Sequence, residues 1–299
     1  MRARTIGRMF GSVLTAIVTP FRDDDSVDFD AFQRLAHHLV DHGSDGLVVA
    51  GTTGESPTLT DRERLDLVRA AIEAVGDTAT VVAGTGTYST AHSVHLTEQA
   101  HELGADGFLV VTPYYNKPPP RGIVAHFEAV ARASDRPVIV YNIPSRVVVN
   151  IEPGTISRLA EIENVRAVKQ AHGDLAQARH IVATGLDLYA GDDALLQPFL
   201  ELGGVGGICV HTHVVCDHVA EQVRAARAGD LGRARALDRE LAPVYDLLQV
   251  TTNPIPIKAA LNLLGHDVGG YRLPMVPPTE DELTQVRGCL ERLGLLVAA

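Results

Sequence analysis

Lys169 closes an apolar run, Asn164-Val165-Arg166-Ala167-Val168-Lys169, and Gln170-Ala171-His172-Gly173-Asp174 lead from it into a helical pattern. A lysine at the C-terminal end of a buried strand loses hydration. Desolvation disfavours the ammonium form, so a neutral amine becomes accessible near neutral pH. Such an amine attacks a ketone and forms a Schiff base. The same placement also suits a structural lysine whose head reaches water along its alkyl stem. What else shares its end of the fold decides between the two.

Four further segments carry groups suited to a small acid or carbonyl compound. Gly51-Thr52-Thr53-Gly54-Glu55-Ser56 joins a permissive backbone, able to turn successive N–H groups towards an anion, to two hydroxyls. It also reads as a plain tight turn, and it is not a phosphate loop, because Gly-Lys-Ser/Thr is absent. Thr112-Pro113-Tyr114-Tyr115-Asn116-Lys117-Pro118-Pro119-Pro120 offers two tyrosines on a proline-stiffened loop, for packing or for a site. Tyr141-Asn142-Ile143-Pro144-Ser145-Arg146 sets a tyrosine, a stiff turn and an arginine side by side. That arginine is able to clamp a carboxylate bidentately or to be an ordinary surface charge. Gly191-Asp192-Asp193 reads most simply as a turn and helix N-cap.

A competing cluster, Cys209-Val210-His211-Thr212-His213-Val214-Val215-Cys216-Asp217-His218, holds soft and borderline metal ligands. Its spacing matches no common zinc pattern, and a strand-to-helix turn would scatter the side chains over different faces. No metal site is expected from it.

Position within the fold follows from periodicity. Short apolar runs at Val13–Val18, Gly46–Val49, Thr80–Ala83, Gly107–Val111, Pro137–Tyr141, Val165–Lys169, Asp187–Ala190 and Gly206–Val210 read as strands covered on both faces. Helical patterns follow them at Asp30–His42, Asp61–Val75, Thr90–Leu103, Arg121–Ser134, Thr155–Ile162, Asp174–Thr184, Asp193–Leu202 and His213–Ala228. In the clearest, Leu65, Val68, Ile72 and Val75 form one stripe, and Thr60 with Glu63 makes a capping box. Eight strand–helix units predict an α/β fold, a (β/α)8 TIM barrel over 1–228, ahead of an open doubly wound sheet. Leu231–Val250, Ile257–Leu264 and Glu280–Leu295 predict a C-terminal helical extension over 229–299 packed on the barrel. In such a barrel, chemistry belongs at the C-terminal strand ends, where Lys169 and the four segments all fall.

The chain has 299 residues, 45% hydrophobic and 21% charged, with a net charge of −11. That charge argues against a nucleic-acid surface. Three cysteines, Cys209, Cys216 and Cys289, give no disulfide framework and suit a reducing cytoplasm. The basic N-terminus lacks the apolar core of a secretory signal and reads as a leader before the first strand. No run of about 18 apolar residues predicts a membrane span.

With these motifs in place, the chain from Gly11 onward resembles the dihydrodipicolinate synthase/N-acetylneuraminate lyase family of pyruvate-dependent, class I aldolase-type barrels. The resemblance rests on Gly51-Thr52-Thr53-Gly54-Glu55, Thr112-Pro113-Tyr114-Tyr115-Asn116, Tyr141 to Arg146, Val168-Lys169, Gly191-Asp192-Asp193 and Asn253-Pro254-Ile255-Pro256-Ile257-Lys258. Thr-Thr, Tyr-Tyr-Asn and Ile-Pro-Ser-Arg look like the synthase branch. That branch condenses pyruvate with L-aspartate 4-semialdehyde in lysine and diaminopimelate biosynthesis. The resemblance implies that Lys169 forms the Schiff base and that Thr53 binds the pyruvate carboxylate, with Thr52 beside it. It implies a proton relay of Tyr141, Thr52 and Tyr115, the last from a neighbouring subunit. It gives Arg146 the semialdehyde carboxylate and makes Gly191 and Ile208 pocket-lining residues. It further implies a dimer at minimum, a tetramer as the usual assembly, and no cofactor or metal.

The chain departs from that pattern at Gln170, where an acidic residue is usual, at His172, and at Cys209-Val210-His211-Thr212-His213 after strand eight. Strand alternation points Gln170 away from Lys169, so the chemistry is expected to survive it. His211 and His213, read as rim residues, leave open a related lyase or dehydratase acting on another aldehyde or keto-sugar acid. A non-catalytic keto-acid sensor is disfavoured by the intact Lys169, Tyr141, Thr52 and Tyr115. Asp61, Arg64, Tyr88 and His92 replace the residues with which the family senses lysine, so weak or absent feedback inhibition is expected.

Overall fold

The computed structural model describes residues 9–297. The basic leader read from the sequence lies, over its first eight positions, outside the described residues.

Eight strands, β1 (Val13–Ala16), β2 (Gly46–Val49), β3 (Thr80–Gly84), β4 (Gly107–Val111), β5 (Val138–Asn142), β6 (Val165–Gln170), β7 (Asp187–Ala190) and β8 (Gly206–Cys209), close into one barrel in sequence order. Every neighbouring pair is parallel, and β1 pairs with β8 to complete the circle. Alternation splits the strand side chains into two populations. Leu14, Val48, Val82, Leu109, Ile139, Ala167, Tyr189 and Ile208 fill the inside of the barrel. Val49, Val81, Val110, Val140, Val168 and Leu188 pack outward against the helices.

Thirteen helices are described: α1 (Phe29–Asp41), α2 (Asp61–Val75), α3 (Thr90–Leu103), α4 (Pro120–Ala131), α5 (Pro144–Val147), α6 (Pro153–Ala160), α7 (Leu175–Ala183), α8 (Leu196–Glu201), α9 (Thr212–Arg227), α10 (Leu231–Glu240), α11 (Ala242–Gln249), α12 (Ile255–Leu263) and α13 (Glu280–Arg292). The expected TIM barrel with C-terminal helices is the observed architecture. The capping box of Thr60 and Glu63 forms at the start of α2. Three details differ from what the sequence predicts. The pattern over Leu231–Val250 is two helices, broken at Leu241 just before Pro243. Asp193–Leu202 begins as a tight turn over Asp193–Leu195, and the α-helix proper starts at Leu196. Pro144 starts an extra single-turn helix in what reads as a plain stiff turn, its ring fixing the first helical φ.

The N-terminal end of the barrel is stoppered. Phe10 is 1% exposed and belongs to the interior cluster, and Tyr189 donates its hydroxyl to Gly11 O at 2.7 Å. The opposite end opens into a cavity of about 360 Å³.

Candidate active site

β5 and β6 run in register, with Tyr141 opposite Lys169. Both side chains therefore point into the barrel, one layer above Ile139 and Ala167. The Lys169 Nζ stands 4.3 Å from the centroid of the Tyr141 ring. Each residue is 4% exposed, so the amine reaches solvent only through the cavity mouth. Lys169 forms no ion pair among the described residues, which leaves its amine to a ligand. Tyr141 is pinned from behind, because Thr112 donates to its carbonyl from both N–H and Oγ1 at 3.0 Å.

Gly191, one residue past β7, forms the wall beside the lysine stem. A Cβ there would lie 2.8 Å from Lys169 Cγ, so the position needs a glycine for close approach. Across the mouth, the loop after β2 is bracketed by two non-glycine residues in the left-handed region, Ala50 and Glu55, each at φ 54°. The Thr52 and Thr53 amides donate to no acceptor among the described residues. Adjacent free N–H groups with hydroxyls beside them suit a carboxylate. Thr53 is buried, and its Oγ1 accepts from Asn253 Nδ2 at 3.0 Å. Arg146, exposed on α5 at the cavity rim, donates from Nη2 to Asn253 O at 3.4 Å and keeps its other donors for a ligand.

Six of the eight residues singled out from the sequence, Lys169, Tyr141, Thr52, Thr53, Arg146 and Gly191, line this one cavity. Ile208 is fully buried in the barrel interior and does not line the cavity; Val210 does. Tyr115 stands apart, 93% exposed at the tip of the loop between β4 and α4, with φ 69°. Tyr245, Leu248, Gln249, Thr251, Thr252 and Asn253 form one further wall. Asn253 belongs to a motif quoted above. The others come from α11 and the turn after it, and nothing in a helical hydrophobic pattern marks which end will overhang a barrel.

The unusual residues point away from the cavity. Gln170 is fully buried on the outer face of β6, where its Oε1 accepts from Asn142 Nδ2 at 3.0 Å. Asn142, Asn150 and Gln177 continue this amide network. His213 is buried between strand ends: its Nδ1 donates to Val210 O at 2.8 Å and its Nε2 accepts from Val18 N at 3.2 Å. Burial pushes its pKa down to about 4, so it is neutral at physiological pH. His211 is also fully buried, its ring beside Tyr245 at 5.9 Å between centroids. The expectation that these histidines form the rim is corrected: the strand has already ended and the chain is entering α9, and both rings are buried, His213 between the strand ends and His211 against Tyr245.

Asp193 organises the same corner. Its Oδ1 accepts from Val210 N at 2.8 Å and His211 N at 2.7 Å, and His211 Nδ1 stands 2.7 Å away at an angle poor for a hydrogen bond. Burial would raise this carboxyl, but the His211 ring and the two amides together hold it below the usual carboxylate range. Asp193, Cys209 and His211 are the one group among the described residues whose ligand atoms all lie within 4.8 Å of one another. Two ligands of a tetrahedral zinc, each at about 2.1 Å, stand about 3.4 Å apart. The 2.7 Å contact is shorter than that, and burial, with Asp193 adding to it, pushes the Cys209 thiol well up, away from the thiolate that zinc takes. The trio therefore fits a packed polar corner better than an ion. His218, by contrast, lies exposed on α9.

Comparison with known proteins agrees with this geometry over nearly the whole chain. A model of the Dihydrodipicolinate synthetase family matches residues 9–293. The 4-hydroxy-tetrahydrodipicolinate synthase of Moorella thermoacetica is 50% identical over 290 residues, covering 96% of this chain and 99% of that one. A crystal structure of the enzyme from Cyanidioschyzon merolae with lysine bound superposes with a TM-score of 0.94 at 41% identity, covering 96% of this chain and 99% of that one. A crystal structure of the Acinetobacter baumannii dihydrodipicolinate synthase in complex with pyruvate gives 0.93 at 34% identity, covering 97% and 100%. With a lysine and a tyrosine facing each other in a closed eight-stranded barrel and similarity from end to end, the chain belongs to the dihydrodipicolinate synthetase family.

Proposed function

We propose that this chain is a Schiff-base-forming synthase that condenses pyruvate with L-aspartate 4-semialdehyde to 4-hydroxy-tetrahydrodipicolinate, the entry to diaminopimelate and lysine. The observation that carries the reading is the Lys169 amine, free of any ion pair among the described residues, held 4.3 Å from the Tyr141 ring in a cavity that also holds Thr53 and Arg146. Relatives named for this activity support it, as does a neighbour solved with pyruvate.

In this reading the pyruvate carboxylate sits on the Thr52 and Thr53 amides and the Thr53 hydroxyl. Lys169 attacks the ketone, and loss of water leaves a protonated imine. The imine is an electron sink, so a methyl proton is lost to give an enamine rather than a bare carbanion. Tyr141, with Thr52 and the neighbouring subunit's copy of Tyr115, moves the protons; one such step contributes about 10²- to 10⁴-fold. Arg146 clamps the carboxylate of the semialdehyde while the enamine carbon attacks its aldehyde carbon. The amino group of the semialdehyde then closes the ring and displaces Lys169, which restores the free amine. Gly191 shapes the pocket without touching the reacting atoms, while Ile208, the expected second lining residue, packs in the barrel interior beneath it.

An exposed Tyr115 held in a left-handed backbone suits a residue offered to another copy of the chain. We therefore favour a homodimer as the minimal active unit, with a tetramer as the assembly. The three cysteines are free and buried, which suits the reducing cytoplasm, and no described helix is long and apolar enough to cross a membrane. The alternative aldehyde or keto-sugar acid drew its support from rim histidines, and the buried positions of His211 and His213 remove that support.

Borohydride reduction in the presence of pyruvate, followed by peptide mass spectrometry, tests the reading. The expected adduct adds one reduced pyruvoyl unit to Lys169, and Lys169→Ala gives none. Turnover with aspartate semialdehyde is assayed in parallel. Absence of the adduct on the wild-type chain would overturn the function; an adduct without turnover would move the reading to another aldehyde.

A further inference from the structure

The segment Asn253-Pro254-Ile255-Pro256-Ile257-Lys258 touches the Thr52–Thr53 loop at two points. Asn253 holds the Thr53 hydroxyl. Five residues on, Lys258 is fully buried and its Nζ donates to Glu55 Oε1 at 2.9 Å, to Thr19 O at 2.9 Å and to Gly270 O. All three ammonium donors are thus used, on acceptors from three different connections: after β1, after β2 and after α12. The Phe21 and Tyr271 rings flank the ammonium, 4.5 and 5.0 Å from Nζ to their centroids. Glu55, 3% exposed, offers its other oxygen to Arg272 N at 3.3 Å. Thr19, the residue whose carbonyl Lys258 holds, also donates its hydroxyl to Gly54 O at 2.7 Å.

A buried ion pair is not explained by stability. An apolar pair of the same shape is often as stable or more so, and burial here pushes the Lys258 ammonium below its ordinary pKa despite Glu55. What an ammonium with three fixed acceptors supplies is direction. Glu55 sits in a left-handed conformation that a side chain disfavours, at the point where the loop must turn back so that the Thr52 and Thr53 amides face the cavity. Neither Glu55 nor Lys258 lines the cavity, so their influence on a ligand runs through the loop between them and Asn253.

We propose that Glu55 and Lys258 are a positioning pair that fixes the carboxylate-binding face of the Thr52–Thr53 loop and so sets the enzyme's affinity for the keto acid, but not for the aldehyde. The proposal rests on the keto-acid reading of this cavity. The substrate it discriminates is a short 2-oxo acid whose carboxylate must meet the loop while its ketone meets Lys169.

The test uses the full chain with Glu55→Gln/Lys258→Met, which removes both charges and so leaves no unpaired buried charge, though Thr19 O and Gly270 O lose their donor, and with Glu55→Gln alone, which keeps the shape. Folding is checked by thermal melting and circular dichroism. Borohydride trapping is titrated with pyruvate, and steady-state rates are measured against both substrates. In the double variant the pyruvate concentration for half-maximal trapping and the KM for pyruvate rise by about tenfold or more, trapping still reaches completion, and the KM for semialdehyde moves by less than about threefold. Glu55→Gln, which takes the charged partner from the ammonium but leaves it the two carbonyls, shifts the same two pyruvate parameters in the same direction, and it decides the question if the double variant does not fold. Unchanged pyruvate parameters in a folded variant overturn the proposal, and so does a parallel rise in both KM values. A wild-type chain that traps no pyruvate instead overturns the functional reading beneath it, before any variant is compared.

Discussion

A methyl group placed on Gly191 would stand 2.8 Å from Cγ of Lys169 and 3.1 Å from Cβ of Ala171. The lysine stem would have to move to admit it, and a displacement of about 1 Å at a reacting group costs roughly 10²-fold in rate. Gly191→Ala is therefore expected to fold normally and lose about two orders of magnitude in kcat. Steady-state kinetics beside a circular dichroism spectrum check it, and an unchanged kcat would show that the stem has room. At this scale Lys169 and Tyr141 are readable from the sequence, because a lysine or tyrosine ending an apolar strand has few bland explanations once eight strands share one rim. His211 and His213 mislead, because the period-2 rule fails past Cys209, where the strand stops. Asn253 is visible as part of a motif. Its hold on Thr53, 200 residues away in sequence, depends on a packing that no local pattern encodes.

Among the elements, α2, α3 and the loop before α3 carry the positions at which the family is expected to sense lysine. Asp61, at the start of α2, faces His92 on α3, whose Nε2 lies 2.9 Å from both carboxylate oxygens. Arg64 donates to Ser56 O at 2.6 Å, and Tyr88 packs edge-on against Tyr114 with centroids 5.5 Å apart. Asp61 and His92 are spent on each other, and a lysine ammonium would have to break that contact to gain a carboxylate. Activity is expected to persist when lysine is titrated into the millimolar range; strong inhibition at sub-millimolar lysine would contradict this. Element existence is well marked in the sequence, since most of the β-strands are short Val-, Ile- or Leu-rich runs. Element ends are not. Pro243 splits one predicted helix because a ring cannot sit in a helix interior, and Pro144 begins a turn of helix for the converse reason.

For the molecule as a whole, three histidines on separate helices share one behaviour. His38, His126 and His213 are each held down to about 4, first by burial, which penalises the imidazolium; His266 and His42 add to the effect at His38. An unfolded histidine titrates near 6.5. Between these values the unfolded chain binds more protons, so the stability these groups contribute is complete above about 6.5 and is lost as pH falls towards 4. Glu63 and Glu201, held down to about 2 by Arg272 and Arg235, add a second loss at lower pH. The melting temperature is expected to fall steadily from pH 6.5 to pH 4 in a calorimetric series, and a flat profile over that interval would refute it.

The stoppered lower end of the barrel has a consequence for traffic. With Phe10, Tyr189 and the interior layer filling the space beneath Lys169, the cavity is closed from below by the described residues, and the Lys169 amine lies deep in it while Arg146 stands exposed at the rim. In the proposed reaction, the molecule that bonds with the lysine must therefore enter first. For that reaction, a molecule that lodges at the arginine before the keto acid arrives does not share the corridor but closes it, so the proposed order of entry follows from the shape of the barrel rather than from the relative concentrations outside.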